Sequence, residues 1–491
     1  MNMKRKTKAR IFAASLTALC VAQTSCGFIV FNHPDDTTSE PETTTATESS
    51  TAPETDPPET TPPRDLRAEA SERLESLTYR NLSASSVIIA SAVNPDLICP
   101  SGETDSEVVA ARNLTARAVE EKYNTKIIVN PVSVSSMLAD AKAAYASDMY
   151  YADLLAIPQN MVGSFYAAGI LANMYSLPFT DYSKPCYDRE FTEAATLGDT
   201  LLAVSGAASS DPDGLSCVYF NRDLIGDDPY ALVNSGEWTI DKMRGFALNA
   251  STLDGVSGHG SSLDRAAYLD KLIASAGIDY VSNRKGTIPT LSFMDDTVMS
   301  QRAEKLVDRL YSLLFDDKTY SQTDSAGAFG SGKLIFLTGT LGDTAALADS
   351  KVAWGLLPMP KADNDQSGYF TPTADDAPVF CALLNTPNYE TSGLILEALN
   401  EASYEYIDDI YFSELRDWRL RDNSSVNTLG VILDSQRTDF TKLMSSGFTN
   451  LAAATCEAVR SAVTSTSSLT AIYNRYATAC ERELMSSTVI Y

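Results

Sequence analysis

Residues 327–360 read GAFGSGKLIFLTGTLGDTAALADSKVAWGLLPMP. Gly327, Gly332 and Lys333 fit the G-x-x-x-x-G-K spacing of a phosphate loop. That chemistry needs Ser or Thr at the next position, because its hydroxyl holds Mg²⁺. Leu334 stands there instead, and an apolar run follows where a phosphate-binding helix should begin. The stretch reads better as structure. Gly332-Lys333 leads into an apolar strand, Leu334-Ile335-Phe336-Leu337, with a turn expected at Gly339. After a helix-compatible segment, a second apolar strand from Val352 ends in Pro358-Met359-Pro360.

The order of these features is similar to a family signature. Phe329, Gly332-Lys333, the strand, the glycine turn and then Trp354-Gly355-Leu356-Leu357-Pro358-Met359-Pro360 resemble the extracellular solute-binding proteins of bacterial ABC importers. Other segments resemble the family in the same order. They are Ala152-Asp153-Leu154, Ala168 to Met174, Cys217 to Ile225, Glu237 to Met243, Gln366 with Tyr369, and Glu390 to Leu399. The resemblance implies an α/β, two-lobed fold of the periplasmic-binding-protein (Venus flytrap) type, with hinge strands crossing near 216–221 and 368–380. It places an N-terminal lobe at 65–218 and 371–420 and a C-terminal lobe at 219–370 and 421–491. Ligand binds between the lobes in that family.

The bulk properties fit. A chain of 491 residues is too long for one simple core, which favours two lobes. A formal net charge of −26 argues against a nucleic-acid partner or a basic membrane patch. Lys4, Arg5, Lys6, Lys8 and Arg10 precede a short apolar run, Ile11 to Ala22, too short to span a bilayer. Ser25-Cys26-Gly27 then resembles a lipoprotein cleavage site, although Gln23 replaces the usual aliphatic residue. Residues 1–25 are therefore read as a signal peptide. Cys26 is read as the acylated residue anchoring the protein to the extracellular face of the cell membrane, ordinary cleavage being the alternative. Residues 26–64 are expected to be an unstructured acidic tether. Asp35, Asp36, Glu40, Glu42, Glu48, Glu54, Asp56 and Glu59 face only Arg64, and beyond Phe31 apolar side chains are almost absent. Cys99, Cys186, Cys217, Cys381, Cys456 and Cys480 show no C-x-x-C spacing, so one or two disulfides or buried thiols stay open.

Alternating strands and helices point to parallel sheets. Strands are expected at 86–90, 126–129 and 152–158, and helices at 134–146 and 159–168, the last closed by Gly169. Thr104 with Glu107 reads as a capping box, and Thr239 as a helix cap.

Catalytic groups are scarce. The only histidines are His33 and His259, and neither G-x-S-x-G nor H-E-x-x-H occurs. The sequence calls for no cofactor and no metal. Asp211-Pro212-Asp213-Gly214 lacks the later ligands of a calcium loop and reads as a plain turn. A binding cleft needs aromatic faces and a few fixed polar groups. The candidates are Asp153 and Gln159 around the third strand, Tyr219 at a crossing, Thr338-Gly339-Thr340, Asp375 after the second crossing, and Trp418 among charged neighbours. Sugar-binding family members often carry Asn-Gly-x-Trp where this chain has Thr338-Gly339-Thr340-Leu341, so that stacking aromatic is missing. Trp354 reads as core. The resulting expectation is a monomeric, lipid-anchored binding protein and not an enzyme. It would deliver a small solute, a carbohydrate by resemblance, to an ABC permease in the membrane. A surface glycosidase, working through paired carboxylates, and a receptor subunit that only reports ligand stay open.

Overall fold

Three β-branched or aliphatic runs build the first sheet. In the computed structural model, which describes residues 64–487 except 103 and 322, they form β1 (Ser86–Ser91), β2 (Lys126–Pro131) and β3 (Leu154–Pro158). β1 pairs in parallel with both, Val87 opposite Ile127 and Ala90 opposite Leu155. The chain then leaves this sheet. β4 (Ser216–Asn221), β5 (Ser257–Ser261), β6 (Leu334–Thr340) and β7 (Trp354–Pro358) make a second sheet in the order β7-β4-β6-β5. It returns as β8 (Pro378–Cys381), antiparallel to β3, which completes the order β8-β3-β1-β2.

The second sheet is buried on both faces, and the alternation of its side chains shows why. Cys217 and Tyr219 of β4 join Phe329, Leu337, Trp354, Leu356, Leu429 and Ile432 on one side. Val218 and Phe220 point the other way, into the core containing Trp238, Ile240, Met243 and Phe336. Trp354 is 1 % exposed and its indole N–H donates to Leu347 O at 2.9 Å, so it is core, as its apolar neighbours indicate. Thr239 caps the helix Ile240–Ala250 by accepting from the Lys242 N–H.

Several local expectations need correction. Gly339 is not a turn. It lies inside β6 opposite Cys217, and the chain turns only at Leu341–Asp343. Glycine is needed there for space: a Cβ would lie 2.1 Å from Asp343 Oδ2 and 2.6 Å from Ser262 Oγ. The helix Glu107–Tyr123 is capped by Ser106, not Thr104, because Ser106 Oγ reaches the Val109 N–H. The six described cysteines are free thiols. β4 belongs wholly to the second sheet. The connection itself runs through 205–215, between Val204, which bridges Phe380, and Ser216.

The C-terminal part braces both sheets. The helix Asn423–Asp434 packs on β7, and Cys456–Thr464 packs on Arg265–Ala274 and Thr297–Tyr311. Between them, Phe440–Met444 packs on Gln159–Met161 and Val162–Ala167, next to the end of β3. Backbones touch there: a Cβ on Gly163 would sit 2.4 Å from Met444 O. Among the described residues no helix is long and apolar enough to cross a membrane. Cys26, the expected signal peptide and the expected tether lie outside the described residues, except Arg64.

Candidate functional site

The two connections between the sheets meet where β3 and β6 end. A Cβ on Gly214 would be 2.7 Å from Ala374 Cβ, so the outgoing segment 205–215 abuts the returning segment 359–377. The turn Leu341–Asp343 joins them through Leu341 N–H, which donates to Leu215 O at 2.9 Å. Polar side chains collect on both sides of this junction.

On one side stands Gln159, at the C-terminal end of β3. Its amide Nε2 donates to Thr373 Oγ1 at 2.8 Å and to Ala374 O. Asp375 follows, with Lys271 Nζ at 3.1 Å and Lys442 Nζ at 2.9 Å from its Oδ1. Burial opposes ionisation of Asp375, but the two ammonium groups outweigh it and hold the carboxyl below its ordinary range. Burial, with Lys442 nearby, lowers the pKa of Lys271. Gln159, Asn160, Lys271, Asp375 and Lys442 line a cavity of about 30 Å³.

On the other side Asp213 accepts from Tyr411 Oη–H at 2.6 Å, and Arg419 Nη1 lies 3.5 Å from the same oxygen. Arg419 also holds Glu414 at 2.5 Å. Asp211, two residues before Asp213, is pushed up to about 6 by burial and by the charges of Asp213 and Asp376, against the pull of Arg112. Arg112 is 3 % exposed and donates to Leu97 O and Ser210 O, tying the loop after β1 to the outgoing connection. Asp343 accepts from the Thr340 N–H at 3.0 Å and from Ser262 Oγ–H at 2.7 Å, closing the turn after β6.

The expected site residues divide accordingly. Gln159 and Asp375 come together. Thr340 and Trp418 lie on the Asp213 side, Trp418 as the 80 %-exposed neighbour of Arg419 on the π-helical turn Leu415–Arg419. Thr338, Gly339 and Tyr219 are buried in the second sheet. Tyr219 Oη–H donates to Thr340 O at 2.6 Å, and Thr338 O accepts from Ser261 Oγ–H at 2.9 Å. Asp153 stands before β3, about 20 Å of extended chain from Gln159. There its Oδ2 accepts from the Ile88 N–H and from Tyr150 Oη–H, both at 2.8 Å. Lys271, Lys442, Arg112, Tyr411 and Arg419 were not legible as site residues. Each reaches the junction from a helix far away in sequence, with no motif around it.

No family model and no curated protein matches the chain. Solved structures do. The cyclic α-maltosyl-1,6-maltose binding protein from Arthrobacter globiformis is 12 % identical with a TM-score of 0.57, over 82 % of this chain and 100 % of that one. The galacto-N-biose/lacto-N-biose I-binding protein of the ABC transporter from Bifidobacterium longum, in complex with lacto-N-biose, is 12 % identical with a TM-score of 0.55, over 83 % and 98 %. A cyclo/maltodextrin-binding protein complexed with maltotetraose is 17 % identical with a TM-score of 0.52, over 81 % and 96 %. The fold is that of a two-lobed periplasmic binding protein. The segments 205–215 and 359–377 connect the two sheets. The polar groups around Gln159, Asp213 and Thr340 lie where the chain passes from one sheet to the other.

Proposed function

We propose that this chain is an extracellular substrate-binding protein of an ABC importer that binds a carbohydrate between its lobes, is held to the membrane by an acylated Cys26, and delivers its ligand to a permease. The observation that carries the reading is the junction itself. In this fold, fixed carboxylates, an amide and a guanidinium group collect near the strand ends, and an exposed indole, Trp418, is next in sequence to the guanidinium of Arg419. Sugar recognition needs that combination: acceptors and donors for hydroxyls, and an aromatic face for the ring. The three solved structures described above are of proteins that bind maltose-type or lacto-N-biose-type sugars. Lobe closure would follow from a ligand's higher affinity for the closed state.

The test is a thermal-shift screen of the purified protein against mono- and oligosaccharides. A ligand at 100 times its Kd adds about 2.7 kcal/mol to stability, so its melting temperature should rise clearly. Failure of every carbohydrate to shift the transition would sink the carbohydrate reading. Release of hydrolysis products from a bound oligosaccharide would replace it with a hydrolase.

A further inference from the structure

A second cavity opens behind the segment Arg437–Asp439, which forms the wall between it and the small space around Gln159 and Lys271. Its volume is about 360 Å³. The helix Arg189–Ala194 lines it from one side and residues 278–283 from the other. The two sides touch through Asn283, whose Nδ2 donates to Thr196 O at 2.9 Å.

The lining is rich in acceptors and poor in free cations. Glu190, Glu193, Asp279 and Asp439 face one cation, Arg437. That guanidinium is already committed: it binds the Asp279 carboxylate and lies over the Phe370 ring, 4.4 Å from its centroid. Glu193 pairs with Arg189 at 2.9 Å, whereas Glu190 makes no ion pair among the described residues. Two further groups lack partners. Tyr280 lines the cavity, is 2 % exposed, and its buried hydroxyl has no hydrogen bond. Asn283 spends its amide N–H on Thr196 and leaves its buried Oδ1 without a donor. Buried polar atoms without partners are rare and destabilising, and an occupant that satisfies them recovers that loss.

From this lining we infer that the cavity is a second ligand site, distinct from the proposed sugar cleft, that takes a small organic cation bearing several N–H donors, such as an aliphatic di- or triamine. An anion is repelled by the carboxylates. A bare metal ion does not fit, because no three His, Cys, Asp or Glu side chains converge closely enough among the described residues. Ammonium groups match what is present: Glu190 supplies the counter-charge, Asn283 Oδ1 and Tyr280 Oη supply acceptors, and the volume admits a chain of several heavy atoms.

The probes are putrescine and spermidine, titrated calorimetrically into the full chain at physiological salt. Saturable binding is expected, weakened at least 10-fold by Glu190→Gln and by Asn283→Ala. Asn283→Ala also removes the amide bond to Thr196 O, but Glu190 is exposed, so Glu190→Gln folds and keeps the test decisive. Asp316→Asn, on a distant exposed turn, should bind like the parent. The inference is overturned if neither amine binds saturably at millimolar concentration. It is equally overturned if the Glu190 and Asn283 variants bind as well as the Asp316 control, since that would be attraction to a chain of net charge −26 in general.

Discussion

Lys271 and Asp375, 104 residues apart, meet at 3.1 Å beside the connections between the two sheets. Lys271 comes from the helix Arg265–Ala274, and Asp375 from the segment that carries the chain back into the first sheet. Lys442 completes the contact from the C-terminal part, at 2.9 Å. The Lys271 side chain is 8 % exposed and the Asp375 side chain 44 %. Removing the carboxylate therefore leaves the well-buried Lys271 ammonium without its counter-charge, held only by Thr373 O at 2.8 Å. The full cost of breaking a buried pair is several kcal/mol, but water reaches Asp375, so Asp375→Ala should cost about 1–2 kcal/mol of stability. Urea unfolding measures it; an unchanged midpoint would show that the lysines are satisfied without Asp375. Any loss of ligand affinity in this variant must be read against that loss of stability.

Asp211 makes a prediction of opposite electrostatic sign. Its folded pKa, about 6, lies above the ordinary aspartate value. Between pH 4 and 6 the folded state therefore holds more protons than the unfolded state, and stability falls as pH rises through that window. Asp211→Asn keeps the neutral form at every pH. The variant should match the parent near pH 4 and exceed it by about 1–2 kcal/mol at pH 7. Parallel stability curves for the two proteins from pH 4 to 7 would contradict this account.

Close backbone contact gives a third prediction. Gly163 faces Met444 O so closely that a methyl group would sit 2.4 Å away. The neighbour is main chain and cannot swing aside. Gly163→Ala should force the helix Val162–Ala167 off the 444–447 turn and cost about 1–3 kcal/mol. Gly245, inside the helix Ile240–Ala250, has nothing within 4 Å of its missing Cβ. Gly245→Ala should instead add about 0.5–1 kcal/mol through helix propensity. Thermal unfolding that moves both variants the same way would refute the contrast.

Much of the fold was legible because it rests on local pattern. Ser86 to Ala90, Lys126 to Val129 and Ala152 to Pro158 are β-branched or aliphatic runs, and each contains a strand, the third beginning only at Leu154. Gly339 misled because glycine signals both a turn and a tight approach, and the side chains that crowd it, Asp343 and Ser262, are brought there by the fold. The site was less legible for the same reason. Gln159 could be placed because it directly follows a strand. Tyr219 and Thr338 lie on strands of a sheet covered on both faces, where the Tyr219 hydroxyl is spent on Thr340 O and the Thr338 side chain is buried. Lys271 and Lys442 carry no local signal; only the meeting of three distant segments gives them a role.

The anchor yields a prediction from sequence alone. Ser25-Cys26-Gly27 follows a short apolar run with a basic start. Two acyl chains hold a protein on a bilayer where one barely does. Cys26→Ala should therefore move the protein from the membrane fraction to the soluble extracellular fraction. Full retention on salt-washed membranes would rule out lipidation at this residue.

Trp418 separates binding from folding most cleanly. It is 80 % exposed, whereas Trp238 and Trp354 are fully buried with their indole N–H groups bonded to carbonyls. Exposing so large an apolar ring is uncompensated in the unliganded chain. Its neighbour Arg419 is fixed by Asp213 and Glu414 at the edge of the junction. Loss of the ring should leave unfolding unchanged within about 0.5 kcal/mol, since surface substitutions usually do no more. If the ring stacks on bound sugar, truncation should cost about 2 kcal/mol of binding, or roughly 30-fold in Kd. The measurement is calorimetric titration of Trp418→Ala with the carbohydrate found by thermal-shift screening. Asp316→Ala, on an exposed turn, serves as the control and should bind as the parent does. Trp418→Phe, which keeps an aromatic face, should recover most of the affinity. Equal affinities for the parent, Trp418→Ala and Asp316→Ala would remove Trp418 from the site and leave recognition to Gln159, Asp213 and the turn after Thr340.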